Sequence, residues 1–348
     1  MARSAWVAGC IQMPSCRVAD SGDSAEAWKR IRANIEVAEQ MGRDACAADR
    51  PDLIVLPEFA FQGPPLGLTA REWVELACCP VPGPITQPLQ SLAREERIRI
   101  VGNQFESDPD WPGKFFNTSF LIDTNGEVVM RYRRINTTMS TSPHDIMSDY
   151  VPRYGIEGVF PVADTELGRL ALLPCGEISV PEAVRAVVFR GAEIILHPTN
   201  ESYSNIQEMS KVARAVENLV FVVSANVAGL AGADTTGTQW AGHSKVVDFK
   251  GELLSDAADS HDPLVIKAEI RLGDLRRARA TVSPDNRLLF SRFEMYAPLY
   301  AQASFYPPDR MLHKGFTDDA DTSAARNAAV ANMMRSGVLS NDKWEALE

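Results

Sequence analysis

At 348 residues with 45% hydrophobic side chains, the chain is long enough to bury one large core or two smaller ones, and its 46 acidic against 35 basic residues leave a formal charge of −11. That balance argues against a nucleic-acid or acidic-membrane binder and favours a small-molecule partner. Six irregularly spaced cysteines, Cys78 and Cys79 adjacent, form neither a disulfide framework nor a Cys-x-x-Cys metal pattern, so reduced thiols are expected. The apolar run in MARSAWVAGCIQM is too short for a signal peptide or a membrane span, and a cytoplasmic protein is expected.

Ala5 to Met13 reads as a first strand, followed by an amphipathic helix from about Ser24 to Ala47 with Trp28, Ile31, Ile35, Val37 and Ala38 near helical spacing. Leu53 to Leu56 is a continuous apolar run, as expected of a strand covered on both faces; Pro57 ends it and Glu58 sits at its tip. A Pro- and Gly-rich loop leads to a helix over Leu89 to Glu96 and a strand over Ile98 to Phe105. In FFNTSFLIDTNGEVVMRYRRI, Asn125-Gly126 predicts a hairpin whose second strand delivers Arg131, Arg133 and Arg134 to its far end. Asn136 to Tyr154, with His144, Asp145 and Asp149, shows no clear period and is expected to be a loop over a site.

The chain is organised around Leu170 to Glu201, read as strand, elbow, helix, strand, with Cys175 at the elbow and Pro181 opening the helix. A thiol at the end of a buried strand, near the start of a helix, has its thiolate favoured by the helix dipole. Cys175 is therefore the candidate nucleophile, although a lone cysteine is more often a small buried hydrophobe. A helix over Lys211 to Asn218, a strand over Val220 to Asn226, a second hairpin at Lys250-Gly251 and a last strand over Leu264 to Ile270 come next. The pattern decays beyond Pro284. We expect one domain over 1–299 and an extension over 300–348 that is either an arm on a neighbouring subunit or a loose end.

GxSxG, HExxH, Walker and GxGxxG motifs are absent, and His144 and His197, the only plausible histidines, lack the setting of a Cys and His dyad. A carboxylate, a cation and a thiol remain, each at a strand tip. Here the chain resembles a known group. LPEF around Glu58, the hairpin leading to Tyr132-Arg133-Arg134, LPCGEISVPE around Cys175, RGAEIILHPT from Arg190, RAVENLVFVVSAN from Arg214 and GHSKVVDFKGE from Gly242 resemble, in order, the landmarks of the nitrilase superfamily of carbon-nitrogen hydrolases, over about Val7 to Ile270.

The resemblance implies an α/β fold, a four-layer αββα sandwich, a homodimer or higher homo-oligomer, and a Glu, Lys, Cys triad with no metal or organic cofactor. Glu58 then looks like the general base and Cys175 like the nucleophile, with the N–H after Cys175 helping to hold the oxyanion. A further family carboxylate lies between the Lys and Cys positions, where Asp149 and Asp145 are the candidates. The departure is the lysine, whose position holds Arg134, with Asn136 two residues on. Arginine can stabilise an oxyanion but practically never gives up its proton. Gly176, Glu177, Asn200 and Tyr203 are expected to contact substrate, Glu182 to cap its helix, and Phe61 and Trp240 to be core or pocket. The expected activity is hydrolysis of a non-peptide C–N bond in a small amide or carbamoyl compound through a Cys175 thioester. The alternatives are acyl transfer from that thioester and a non-catalytic scaffold of the same fold.

Overall fold

The computed structural model describes residues 3–201, 205–229, 242–258, 260–316 and 319–340. The first half runs β1 (Trp6–Gln12), α1 (Ser24–Asp49), β2 (Leu53–Val55), α2 (Ala70–Ala77), α3 (Thr86–Glu96), β3 (Arg99–Ser107), β4 (Phe115–Ile122) and β5 (Val128–Arg133). The second runs α4 (Met147–Val159), β6 (Val162–Thr165), β7 (Gly168–Leu172), α5 (Pro181–Phe189), β8 (Ile194–Pro198), α6 (Asn205–Asn218), β9 (Phe221–Ala225), β10 (Lys245–Val247), β11 (Leu253–Asp256) and β12 (Leu264–Ile270). Three more helices complete the order, α7 (Leu272–Ala280), α8 (Phe293–Gln302) and α9 (Asp319–Arg335).

The described strands form two six-stranded sheets, ordered β12-β1-β2-β3-β4-β5 and β11-β10-β9-β8-β7-β6. In the first, β1, β2 and β3 are parallel; in the second, β7, β8 and β9 are. Side-chain alternation explains the layering. Leu53 and Val55 of β2 join the core between the sheets, whereas Ile54 and Leu56 pack with Ile31, Ile35 and Ala38 of α1 and Leu89 and Leu92 of α3. On the other side, Ile194 to Leu196 of β8 are fully buried and fall in one apolar cluster with Val184 and Val187 of α5 and Ala215 of α6. Helices therefore cover two sheets packed face to face, an αββα sandwich. Because the connections are crossovers, the C-terminal ends of β2, β7 and β8 open on one rim, where ligands of such sheets gather.

Two segments differ from the sequence reading. The expected loop over Asn136 to Tyr154 contains a 3₁₀ turn, Pro143–Ile146, and the start of α4. Pro152 and Gly155, the latter at φ +67°, hide the helical period there. The helix is held instead by an aromatic cluster, Tyr150 stacking on Trp111 at 5.9 Å with Tyr154 beside both. The extension packs against its own chain. Asp145 accepts from Arg310 Nε at 2.6 Å, Asp309 accepts from Ser148 N at 2.8 Å, and Tyr300 O–H donates to Glu182 Oε1 at 2.8 Å. Among the described residues no helix is long and apolar enough to cross a membrane.

Candidate active site

Glu58 comes directly after the stop that Pro57 places on β2. Its backbone N–H donates to Thr199 O at 3.2 Å, so the tip of a strand in one sheet is tied to the tip of β8 in the other. The side chain is fully buried. Oε1 accepts from Asn117 Nδ2 at 2.8 Å and from Arg134 Nη1 at 3.1 Å, while Oε2 has no partner among the described residues. Asn117 is itself oriented, because its Oδ1 accepts from Asn103 Nδ2 at 2.7 Å. Burial pushes the Glu58 carboxyl above its ordinary range, with Arg134, Asn117 and the Cys175 thiol pulling it back. That is the environment of a carboxylate able to accept and return a proton.

Arg134 lies one residue beyond β5. The strand alternates Met130 and Tyr132 into the inter-sheet core against Arg131 and Arg133, which both bind Glu106. Arg134 takes the Tyr132 side and, past the last strand pair, turns to Glu58; its neighbour Arg133 is a buried structural ion pair. Glu177 fixes the turn. Fully buried, its Oε1 accepts from Ile135 N and Asn136 N, each at 2.7 Å, and its Oε2 from Asn136 Nδ2 at 2.8 Å. Both Glu177 oxygens are thus spent on Ile135 and Asn136 beside Arg134, Oε1 on the backbone and Oε2 on a side chain, a positioning role where contact with substrate was expected. Gly176 also serves the cation, since a Cβ there would lie 2.8 Å from Arg134 Nη2. Arg134 Nε and Nη2 carry no partner among the described residues, and the guanidinium stays charged.

Cys175 sits three residues past β7 in the left-handed region, φ +47°, which turns its side chain out of the strand direction. His197 holds this elbow: Nε2–H donates to Cys175 O at 2.9 Å, and Nδ1 accepts from Ser224 Oγ at 2.8 Å. Since a carbonyl can only accept, the proton resides on Nε2. Burial and the Lys211 charge push the imidazole down to about 3, so it is neutral. His197 is a buttress and not a base. Burial and the Glu58 charge push the Cys175 thiol up to about 12, against the pull of Arg134. The expectation of a thiolate favoured by a helix start is therefore corrected, because the backbone at and after Cys175 forms only a short 3₁₀ turn, Cys175–Ser179, and desolvation wins. The resting group is a thiol whose proton leaves during attack.

The other candidates divide. Asp149 is exposed on the first turn of α4 and is not brought to the trio. Asp145 is buried but spent on Arg310 and on Ser142 N. Asn200 is partly buried between Thr199 and Glu201, at the rim. Tyr203 and Trp240 lie outside the described residues. Phe61 belongs to the core under the first sheet, and Glu182 accepts from Tyr300 O–H at 2.8 Å. His144 packs 6.1 Å from the Tyr306 ring.

Sequence reasoning missed Asn117 and Asn103, and it missed a buried ion-pair group. Glu201, directly after the HPTN strand end, is ion-paired through Oε1 with the fully buried Lys211 of α6. Lys211 also donates to Glu208 Oε1 at 2.8 Å, and Glu208 pairs onward with Lys245. The signal was present: Lys211, Ala215 and Asn218 fall at i, i+4 and i+7, the buried stripe of the helix, and a lysine there demands a buried counter-charge.

A model of the carbon-nitrogen hydrolase family matches residues 7–280. A formamidase of Bacillus cereus (strain B4264) is 29% identical over 207 residues, 58% of this chain and 57% of its own length, so the chain matches little more than half of that relative. Among solved structures, the C. elegans NitFhit protein is similar with a TM-score of 0.64 at 24% identity, covering 85% of this chain and 67% of that one. A mutant of the amidase from Nesterenkonia sp. AN1 is similar with a TM-score of 0.61 at 21% identity, covering 85% and 97%; it shows covalent addition of the acetamide moiety of fluoroacetamide at the active-site cysteine. With the family model spanning both sheets and every strand tip that carries Glu58, Arg134 and Cys175, this chain belongs to the carbon-nitrogen hydrolase family.

Proposed function

We propose that the chain hydrolyses the C–N bond of a small amide or carbamoyl compound through a thioester on Cys175. The observation that carries this reading is a fully buried Glu58 whose Oε1 accepts from the cationic Arg134 at 3.1 Å, with Cys175 beside them held as a thiol. The covalent adduct at the cysteine of the Nesterenkonia amidase supports it. Sγ attacks the carbonyl carbon while the thiol proton passes to Glu58. Arg134 and the N–H following Cys175 hold the oxyanion. Glu58 returns the proton to the nitrogen, the C–N bond breaks, and the amine leaves. Water then attacks the thioester, giving its proton to Glu58, and the acid departs as the thiol is restored.

Arginine suits this scheme because no step asks the cation to move a proton. The test is ammonia release from formamide, acetamide and propionamide by wild type and by Cys175→Ala. Turnover confined to wild type supports the reading; no turnover, or equal turnover in both, refutes it. Hydroxylamine in the same assay reports acyl transfer as hydroxamate. Exposed Ile206 and Met209 on α6 and Met295 and Leu299 on α8 support a homo-oligomer as the working form, which light scattering decides.

A further inference from the structure

Glu201 is only 6% exposed, yet one of its two carboxylate oxygens is idle. Oε1 is taken by Lys211, and Oε2 has no partner among the described residues. The residue cannot swing away, because Glu201 N donates to Asn226 Oδ1 at 3.1 Å and Asn226 Nδ2 donates back to Glu201 O at 3.0 Å. Lys211 uses only Oε1, and it shares its ammonium with Glu208, so the ion pair leaves Oε2 unexplained. Its place is the rim of the site: Thr199, two residues earlier, accepts the backbone N–H of Glu58. In keeping with that place, the Glu201 charge pushes the Cys175 thiol up, and the Glu58 charge pushes the Glu201 carboxyl up. A buried acceptor left idle is unfavourable, so it fits a site in which the ligand supplies the donor.

We propose that Glu201 is a substrate-recognition residue of this site, its free Oε2 accepting a hydrogen bond from the amide nitrogen, so that the substrates are amides bearing at least one N–H. The inference rests on the amidase reading above and refines its substrate class. An amide has its carbonyl oxygen negative and its N–H positive. Arg134, with Nε and Nη2 open, suits the first end and Glu201 suits the second, with Cys175 to attack the carbon between them. A tertiary amide or an ester offers Glu201 nothing and leaves its buried oxygen unpaired, which is how a polar site rejects an analogue lacking the donor.

Glu201→Gln tests this with little change of shape. Lys211 donates, so the glutamine oxygen faces Lys211 and its NH₂ faces the substrate nitrogen, donor against donor. Binding is read in a Cys175→Ala background by ligand-observed NMR, comparing propionamide with N,N-dimethylpropionamide. Glu201→Gln is expected to weaken propionamide tenfold to a hundredfold, the range carried by a hydrogen bond to a charged group, and to leave N,N-dimethylpropionamide within about threefold. Equal weakening of both, weakening of neither, or no propionamide binding before the substitution overturns the proposal. Should Glu201→Gln fail to fold, Glu201→Asp, which keeps the charge and withdraws the oxygen, carries the same comparison. Acylation of otherwise wild-type protein by p-nitrophenyl propionate, whose leaving group has no N–H, separates the two readings. A burst from wild type is expected; its absence sinks the thioester mechanism, while the binding comparison still decides Glu201.

Discussion

Glu177 offers the sharpest link between packing and chemistry, because it touches no reacting atom yet fixes the backbone next to Arg134. Glu177→Ala removes a buried acceptor that serves Ile135 N, Asn136 N and Asn136 Nδ2 at 2.7, 2.7 and 2.8 Å. The Asn136 side chain can turn to other partners, but the two backbone N–H groups cannot. Each left unpaired costs about 1–3 kcal/mol, so the variant should lose about 2–6 kcal/mol of stability. Glu177→Gln keeps one oxygen for both backbone donors, and Asn136 can flip to face the new NH₂, so its loss should be about 1 kcal/mol. Activity should follow the same order. With its turn released, Arg134 drifts from Glu58, and kcat should fall tenfold to a hundredfold in Glu177→Ala, below the roughly 10²–10³ of deleting an oxyanion donor outright. Urea unfolding and Michaelis kinetics on propionamide measure the two effects. A Glu177→Ala variant with wild-type kcat would refute the positioning role, whatever its stability.

Gly176→Ala should fold normally, because the atom its Cβ meets is the mobile end of Arg134, but should reduce kcat/KM about tenfold or more as that guanidinium is displaced; unchanged kinetics would show that the contact is idle. Arg134→Ala should lower kcat by about 10²–10³ with a smaller change in KM, and Arg134→Lys should restore part of the activity, lysine being shorter and unable to reproduce a planar fork; full activity in Arg134→Ala would make it a structural ion pair. His197 should make the fold acid-sensitive. Its imidazole falls from an ordinary 6.5 to about 3 on folding, so between these values the unfolded chain takes up a proton that the folded chain refuses. Stability contributed at neutral pH is then lost as pH drops through that window, by about 1.4 kcal/mol per unit from this group alone. Comparing wild type with His197→Asn across pH 4 to 7 isolates the slope, and identical pH dependence would show that His197 is not held neutral.

Much of the frame was legible in the sequence because it is written in local signals. The Leu53 to Leu56 run, the Asn125-Gly126 turn and the Leu170 to Cys175 segment appear as β2, the β4–β5 hairpin and β7 with its elbow, because continuous burial and tight turns leave marks within a few residues. Glu58, Arg134 and Cys175 share one property readable in one dimension, a polar group just past an apolar strand. Helix α4 was missed because Pro152 and Gly155 disguise a segment stabilised by Trp111, some forty residues away. The partners that tune the trio were missed for the same kind of reason. Asn117 and Asn103 sit inside strands, Glu177 looks like pocket lining until its two oxygens are seen to be taken, and Glu201 makes sense only with Lys211 buried behind it. Long-range ion pairs and hydrogen bonds have no period to betray them.

The central claim is that Cys175 forms a covalent acyl bond with a carbon once bound to nitrogen. Rapid mixing of protein with excess propionamide, acid quenching within milliseconds and peptide mass spectrometry measure it directly. Wild type should carry a propionyl mass on the peptide containing Cys175, more of it in Glu58→Gln if deacylation is slowed there, and none in Cys175→Ala. A propionyl mass on another residue, or propionamide turnover with no acylated peptide in wild type or Glu58→Gln, would contradict the account.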